Sequence, residues 1–82
     1  MDIRMVVALN ARRYRNALGL SQEAVGERIG ADQQYVSVIE RGGQNLTLVR
    51  LSELAQALNV RPADLLDEDF ARTAQLHRDD GS

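Results

Sequence analysis

Cysteine and lysine are both missing from this chain of 82 residues. Without cysteine, neither a disulfide bond nor a thiolate metal site can stabilise the fold. A single core of this size contributes only about a few kcal/mol, so association with another chain would be a useful further source of stability. The absence of cysteine also fits the reducing conditions of a cytoplasm.

Long apolar segments are missing as well, and this bears on where the protein works. The longest wholly apolar run extends only from Met5 to Leu9, far short of the ~20 residues that a membrane-spanning helix needs. The N-terminal "MDIR" places an acid where an export signal carries basic charge. We therefore expect a soluble, cytoplasmic protein with no membrane partner.

All basic charge comes from arginine, and the acidic charge is concentrated at one end. The net charge is −2, but the chain through Leu66 carries eight arginines and seven acids, and the rest carries two arginines and five acids. The first part is therefore slightly positive, so the total does not exclude nucleic acid. Arginine suits paired contacts with phosphate, although GC-rich coding would give the same composition.

The pattern of apolar residues is helical throughout, with no strand-like alternation. We predict five helices, at about residues 2–18, 22–29, 33–41, 48–58 and 62–67. Four of the starts carry a side chain that can cap a helix, namely Asp2, Ser21, Asp32 and Thr47. The fourth helix carries an apolar stripe of Leu48, Leu51, Leu54, Ala55 and Leu58. Residues 1–66 should form one domain, and 67–82 an acidic tail with a helical turn or two followed by disorder.

The second and third helices are short and are joined by about three residues that include Gly30. This is the arrangement of a helix-turn-helix, in which such short helices must be held by packing. Gly26 lies inside the second helix, where glycine costs about 1 kcal/mol relative to alanine. We interpret it as the point where the third helix crosses closely, the alternative being a small residue on a solvent-exposed face.

A helical wheel gives the third helix an apolar inner face and a largely polar outer face. Val36 and Ile39 lie on the inner face. Val38 is out of step with them, because it falls on the outer side, where it has no core to join. The outer face comprises Gln33, Gln34, Ser37, Val38 and Arg41.

The segment "LGLSQEAVGERIGADQQYVSVIERG", residues 18–42, resembles the DNA-binding unit of the phage repressor and Cro-like proteins, the Xre family. The following "QNLTLVRLSELAQALNVRPADLL" resembles that family's fourth and fifth helices, and its "NLT" loop is similar to that of restriction–modification controller proteins. The resemblance covers about residues 7–66. It implies an all-α, five-helix, lambda-repressor-like domain that regulates transcription by binding double-stranded DNA as a homodimer.

The resemblance also implies roles for individual side chains. The start of the third helix would enter the major groove, where glutamine can bind adenine and an apolar side chain can contact the methyl group of thymine. The expected base contacts are Gln33, Gln34, Ser37 and Val38. The expected phosphate contacts are Ser21, Gln22, Arg41, Gln44, Asn45 and Arg50.

Two further sets of residues are expected to be structural. Arg15 and Glu40 should pair and tie the first helix to the third. The dimer contact is expected at Leu65, Leu66 and Phe70, with Met5 and Val6 as additional candidates.

The remaining chemistry is sparse. His77 is the only histidine, and consecutive acids such as Asp67 to Asp69 do not converge on one point, so we expect no metal, cofactor, small-molecule effector or enzymatic activity. Two alternative functions remain open. One is an antitoxin whose acidic tail binds a toxin, and the other is a protein-interaction module that has lost DNA binding, as the net negative charge would allow.

Overall fold

A computed structural model describes the backbone of residues 1–78 and the side chains of residues 1–74. All regular secondary structure in this part of the chain is helical, which confirms the predicted all-α class. None of its helices is long and apolar enough to cross a lipid bilayer. The helices are α1 (Ile3–Ala17), α2 (Gln22–Ile29), α3 (Gln33–Glu40), α4 (Leu48–Ala57), α5 (Pro62–Leu65) and α6 (Glu68–Arg78).

Local capping interactions fix the helix starts. The four predicted caps are confirmed, since each side chain accepts a hydrogen bond from a backbone N–H in the first turn, namely at Asp2, Ser21, Asp32 and Thr47. A hydrogen bond from Arg4 lowers the pKa of the Asp2 carboxyl to about 2, so this cap stays ionised in mild acid. Arg61 precedes α5 without capping it, and Asp64 instead accepts from the Arg61 N–H at 2.8 Å.

One main core joins the first five helices. Val25 from α2, Val36 from α3 and Leu54 from α4 are each about 1% exposed and belong to one cluster with residues of α1 and α5. Because α2 and α3 bury their apolar faces in this core, their opposite faces are left to solvent. The helix-turn-helix is therefore held in place by packing rather than by its own helical stability.

The sixth helix was not predicted. The sequence suggested only a helical turn or two after Asp67, but residues 68–78 form a helix that packs on α1. Ala71 is fully buried in a second cluster with Val6 and Leu9. The Asp67 carboxylate accepts from the Phe70 N–H at 3.0 Å, as a cap would. Residues 79–82, the last part of the tail for which disorder was expected, and the His77 side chain lie outside the described residues.

Asn10 joins α1 to the connection between α5 and α6. It is fully buried, and its amide nitrogen lies 3.3 Å from the carbonyl oxygen of Asp64, 3.1 Å from that of Leu65 and 2.9 Å from that of Asp67. The end of a short helix leaves carbonyl oxygens such as that of Leu65 without helical partners, whereas the Asp67 oxygen also accepts from the Ala71 N–H at 3.1 Å, at the start of α6. Asn10 therefore fixes where α6 begins relative to α1.

Candidate nucleic-acid interface

The turn between α2 and α3 depends on close packing at Gly26. An alanine Cβ at this position would lie only 2.6 Å from the carbonyl oxygen of Ala31 and 3.2 Å from the carbonyl carbon of Asp32. The chain then turns at Gly30, whose φ of 70° is left-handed, a conformation that glycine adopts without strain. The small residue expected at the helix crossing is therefore required by the observed contact.

The outer face of α3 presents the predicted polar side chains to solvent. Gln33, Gln34 and Arg41 are exposed, and Ser37 is half-buried. Together with Asp32, which the sequence suggested only as a cap, they surround an open concavity. This concavity has a volume of about 440 Å³ and is lined by Asp32, Gln33, Gln34, Ser37 and Arg41. We call this set of five residues the α3 surface.

Val38 lies beside the α3 surface and outside the core. It is half-buried and does not belong to the apolar residues that pack on the main cluster. Its Cγ1 atom is 3.0 Å from the position that a Cβ at Gly43 would occupy, and its carbonyl oxygen accepts from the Gly43 N–H at 3.0 Å. Val38 therefore lies between α3 and the loop that leads to α4.

Glu40 links three helices from behind the α3 surface. Its carboxylate forms a two-point ion pair with Arg15, with oxygen–nitrogen distances of 2.7 and 3.0 Å. The two side chains are only 13% and 5% exposed, for Arg15 and Glu40 respectively. The Gln22 amide also donates to Glu40, at 3.2 Å. The pair expected from the sequence is thus in contact, and it also orients Gln22 at the start of α2.

Arg50, for which the sequence predicts a phosphate contact, also forms contacts within the protein. Its guanidinium donates to the Ile29 carbonyl oxygen at 2.6 Å and to the Tyr35 hydroxyl at 3.3 Å, and it lies 4.8 Å from the centre of the Tyr35 ring. The hydrogen bond with Tyr35 raises the pKa of Arg50 above its ordinary value. These contacts give Arg50 a role in the packing of α2, α3 and α4, and its contact with phosphate stays a prediction.

A second arginine forms the reverse connection between α2 and α4. Arg28, in the last turn of α2, donates to the Ala57 carbonyl oxygen at the end of α4, at 2.8 Å. Arg50, near the start of α4, donates to the end of α2 in the same way. Each helix thus receives an arginine from the other at its carbonyl end, where a positive charge is favourable.

Arg41 differs from these arginines. It is exposed at the end of α3, and no hydrogen bond or ion pair joins its side chain to another residue of the described part of the chain. The neighbouring loop brings Gln44, which is half-buried, and Asn45, which is exposed, to the same end of α3. Ser21 is exposed, and its hydroxyl accepts from the Ala24 N–H as a cap. Its proton remains available for donation.

The expected dimer contact needs correction. Leu65 and Val6 are both fully buried within the single chain, so neither side chain can reach a partner. Phe70 is half-buried and stacks on Tyr14, with ring centres 5.2 Å apart. Leu66 is 40% exposed and stays available.

Exposed apolar side chains also occur where the sequence did not indicate them. Leu48 and Val49, at the start of α4, are 84% and 70% exposed. Leu48 was assigned to the core stripe of the fourth helix because it follows the helical spacing. The structure shows instead that the stripe begins at Leu51.

Comparison with known proteins agrees with this geometry. Residues 12–65 match the helix-turn-helix family HTH_3. An HTH-type transcriptional regulator of Sinorhizobium fredii is 48% identical over 66 residues, covering 80% of this chain and 86% of that protein. The control protein C.SmaI of Serratia marcescens is 40% identical over 75 residues, covering 92% and 89%. The crystal structure of the restriction-modification controller protein C.AhdI from Aeromonas hydrophila aligns with a TM-score of 0.71 at 39% identity, over 76% of this chain and 90% of that one.

The fold, the tight turn between α2 and α3 and these likenesses define a helix-turn-helix transcriptional regulator, a class of proteins that bind double-stranded DNA and are not enzymes. The chain belongs to the HTH_3 family. Control proteins of restriction–modification systems are among its relatives.

Proposed function

We propose that this protein is a sequence-specific regulator that binds a two-fold DNA operator as a homodimer and reads bases with the α3 surface. The observation that carries the proposal is the convergence of Gln33, Gln34, Ser37 and Arg41 on one open concavity. Their helix is anchored from behind by Val36 and Ile39. A polar face on a rigidly held helix suits the precise placement that base recognition needs.

The two glutamines are the proposed principal base contacts. A glutamine amide donates and accepts at once, and so matches the N6 and N7 atoms of adenine in the major groove. Gln33 and Gln34 are the first two residues of α3, the part of a recognition helix that reaches base edges. Ser37 adds a hydroxyl one turn later, and Val38 is placed to contact a thymine methyl group.

Phosphate contacts are proposed on both sides of the α3 surface. Arg41 supplies the positive charge at the end of α3, and Gln44 and Asn45 supply polar groups from the adjoining loop. Gln22, oriented by Glu40, and Ser21 lie at the start of α2, where backbone N–H groups favour an anion. Such contacts fix the position of a protein on DNA without reading the sequence.

The two-fold arrangement follows from the small size of one α3 surface. A single short helix reaches only a few base pairs, so useful specificity requires two half-sites about 34 Å apart on one face of the DNA. Because Leu65 and Val6 are buried, we propose that the second copy is contacted through exposed apolar side chains, for which Leu48, Val49 and Leu66 are the candidates.

We further propose that the protein acts in the cytoplasm as a controller of restriction–modification genes. Support comes from the similarity to C.SmaI and C.AhdI, whose names describe them as controllers. The antitoxin alternative has the acidic tail bind a toxin, and it is less favoured because α6, which forms much of that tail, packs on α1. The alternative without DNA binding is less favoured because it gives no role to the exposed side chains of Gln33, Gln34 and Arg41.

Selection of bound sequences from random duplex DNA tests the proposal, with affinity for the selected site then measured at two salt concentrations. We expect an enriched palindrome whose half-sites are one helical turn apart, and an affinity that falls as salt rises because phosphate contacts release counterions. Recovery of unenriched sequences would overturn the proposed function.

A further inference from the structure

Asp32 is the one acidic member of the α3 surface. It is exposed and lines the same concavity as the two glutamines. Its Oδ1 atom accepts from the Tyr35 N–H at 2.9 Å and so caps α3. Within the described part of the chain no donor is hydrogen-bonded to the other oxygen, Oδ2. One oxygen of this carboxylate therefore caps α3, and the other is available to accept a hydrogen bond from a ligand in the concavity.

The carboxylate is also held in place. Its backbone is packed against Gly26, where even an added methyl group would meet the Asp32 carbonyl at 3.2 Å. Its side chain cannot turn away without giving up the bond to the Tyr35 N–H, which the start of α3 needs. A base pair that enters the concavity must therefore be compatible with a fixed negative group.

A carboxylate can discriminate between the four bases by the hydrogen-bonding groups that they present in the major groove. It can only accept hydrogen bonds, whereas each glutamine amide and the Ser37 hydroxyl can also donate. In the major groove, cytosine offers the N4 amino group as a donor. Guanine offers only the acceptors O6 and N7, and thymine the acceptor O4. The N6 amino group of adenine is the second-best partner, but two neighbouring glutamines already suit adenine.

The negative charge adds to this selection. An exposed carboxylate on a DNA-binding surface is repelled by the phosphates of every sequence, and the repulsion is compensated only where an amino group of a base can reach it. A cap made by serine would hold α3 about equally well without that repulsion. The acidic residue therefore lowers binding to most sequences and favours one base.

We propose that Asp32 is a specificity-determining residue that selects cytosine, through its N4 amino group, at one position of each half-site. This inference rests on the proposed function, since it requires α3 to lie in the major groove.

The test is the Asp32→Asn protein, because asparagine caps helices as well as aspartate does but carries a donor in place of one oxygen. Affinities are measured for the selected operator and for duplexes carrying each single base-pair change in a half-site. We expect the preference for cytosine at one position to fall about tenfold, with preferences elsewhere and the melting temperature unchanged.

Asp2→Asn is the matched control. It removes the same charge from another exposed helix cap, outside the α3 surface, and should leave every base preference as in the wild type. An equal gain by Asp32→Asn on all duplexes would show that Asp32 only repels phosphate and would overturn the inference. So would a wild-type operator with no preferred cytosine. A wild type that selects no sequence at all would instead overturn the proposed function itself, before any variant is compared.

Discussion

At the scale of single residues, the position of α3 depends on the absence of a side chain at Gly26. Glycine is a poor residue inside a helix, yet here it allows the carbonyl oxygen of Ala31 to come within 2.6 Å of where a Cβ would be. The obstructing atoms belong to the backbone of the turn, so they cannot move aside as a flexible side chain would. Relief would require moving α3 itself, which carries the proposed base contacts.

Gly26→Ala should therefore destabilise the protein in spite of alanine's higher helix propensity. The gain in propensity is about 1 kcal/mol, and we expect the clash to exceed it and lower the free energy of unfolding by about 1–2 kcal/mol net. Urea unfolding measures the difference. Glu27→Ala, at the neighbouring exposed position of α2, is the control and should change stability by less than about 0.5 kcal/mol. A Gly26→Ala protein as stable as the wild type would show that the turn can relax freely.

At the scale of helices, charged side chains connect the helix-turn-helix to the rest of the domain, through hydrogen bonds to carbonyl oxygens at helix ends and through one ion pair. Arg50 and Arg28 connect α2 and α4 in both directions, and the ion pair of Arg15 with Glu40 connects α1 and α3. An arginine can reach two partners at once, as Arg50 does with Ile29 and Tyr35. These contacts give several arginines a structural role that does not depend on binding phosphate.

Arg50→Ala should therefore reduce stability, whereas Arg41→Ala should reduce DNA binding. Loss of Arg50 removes hydrogen bonds from a charged donor, each worth about 1.5–3 kcal/mol, so its melting temperature should fall while the salt dependence of DNA binding stays that of the wild type. Loss of Arg41 should leave stability unchanged and lower the slope of log affinity against log salt by about one. Thermal melts and salt titrations distinguish the two variants. A reduced slope for Arg50→Ala would show that Arg50 contacts phosphate as well as packing between the helices.

The helices also show which features are readable from sequence. Helix starts were predictable because a cap such as Asp32 acts on the N–H three residues later, within one local segment. The inner and outer faces of α3 followed from its spacing. The exposure of Leu48 was not predictable, since helical spacing places it on the stripe and only the absence of a neighbour above it leaves it in solvent. The role of Arg50 depends equally on distant partners.

At the scale of the whole molecule, α6 changes what the single chain can bury. It covers Val6 and Leu9 through Ala71. Its Phe70 ring stacks on Tyr14, and the Arg13 guanidinium lies 4.1 Å from the centre of the same ring. The segment is acidic and has few apolar residues, so the sequence suggested a tail. Ala71, Ala74 and Phe70 nevertheless pack it against α1. The surface available to a second copy is reduced accordingly.

Truncation after Asp67 should therefore lower stability rather than merely remove a tail. Uncovering Val6 and Leu9 should cost about 3 kcal/mol or more, measured by urea unfolding at fixed protein concentration. A matched truncation after Arg78 keeps α6 and should unfold like the full chain. Equal stability of all three proteins would mean that α6 contributes nothing to the packing of α1 in solution.

The central claim is that the amides at the start of α3 read the base sequence, and one measurement tests it most directly. The affinities of wild type and of Gln33→Ala and Gln34→Ala are determined for the selected operator and for a scrambled duplex at the same salt concentration. We predict that each variant loses about 1–3 kcal/mol on the operator and nothing on the scrambled duplex, where phosphate contacts alone operate. Equal losses on both duplexes, or none on either, would contradict the account.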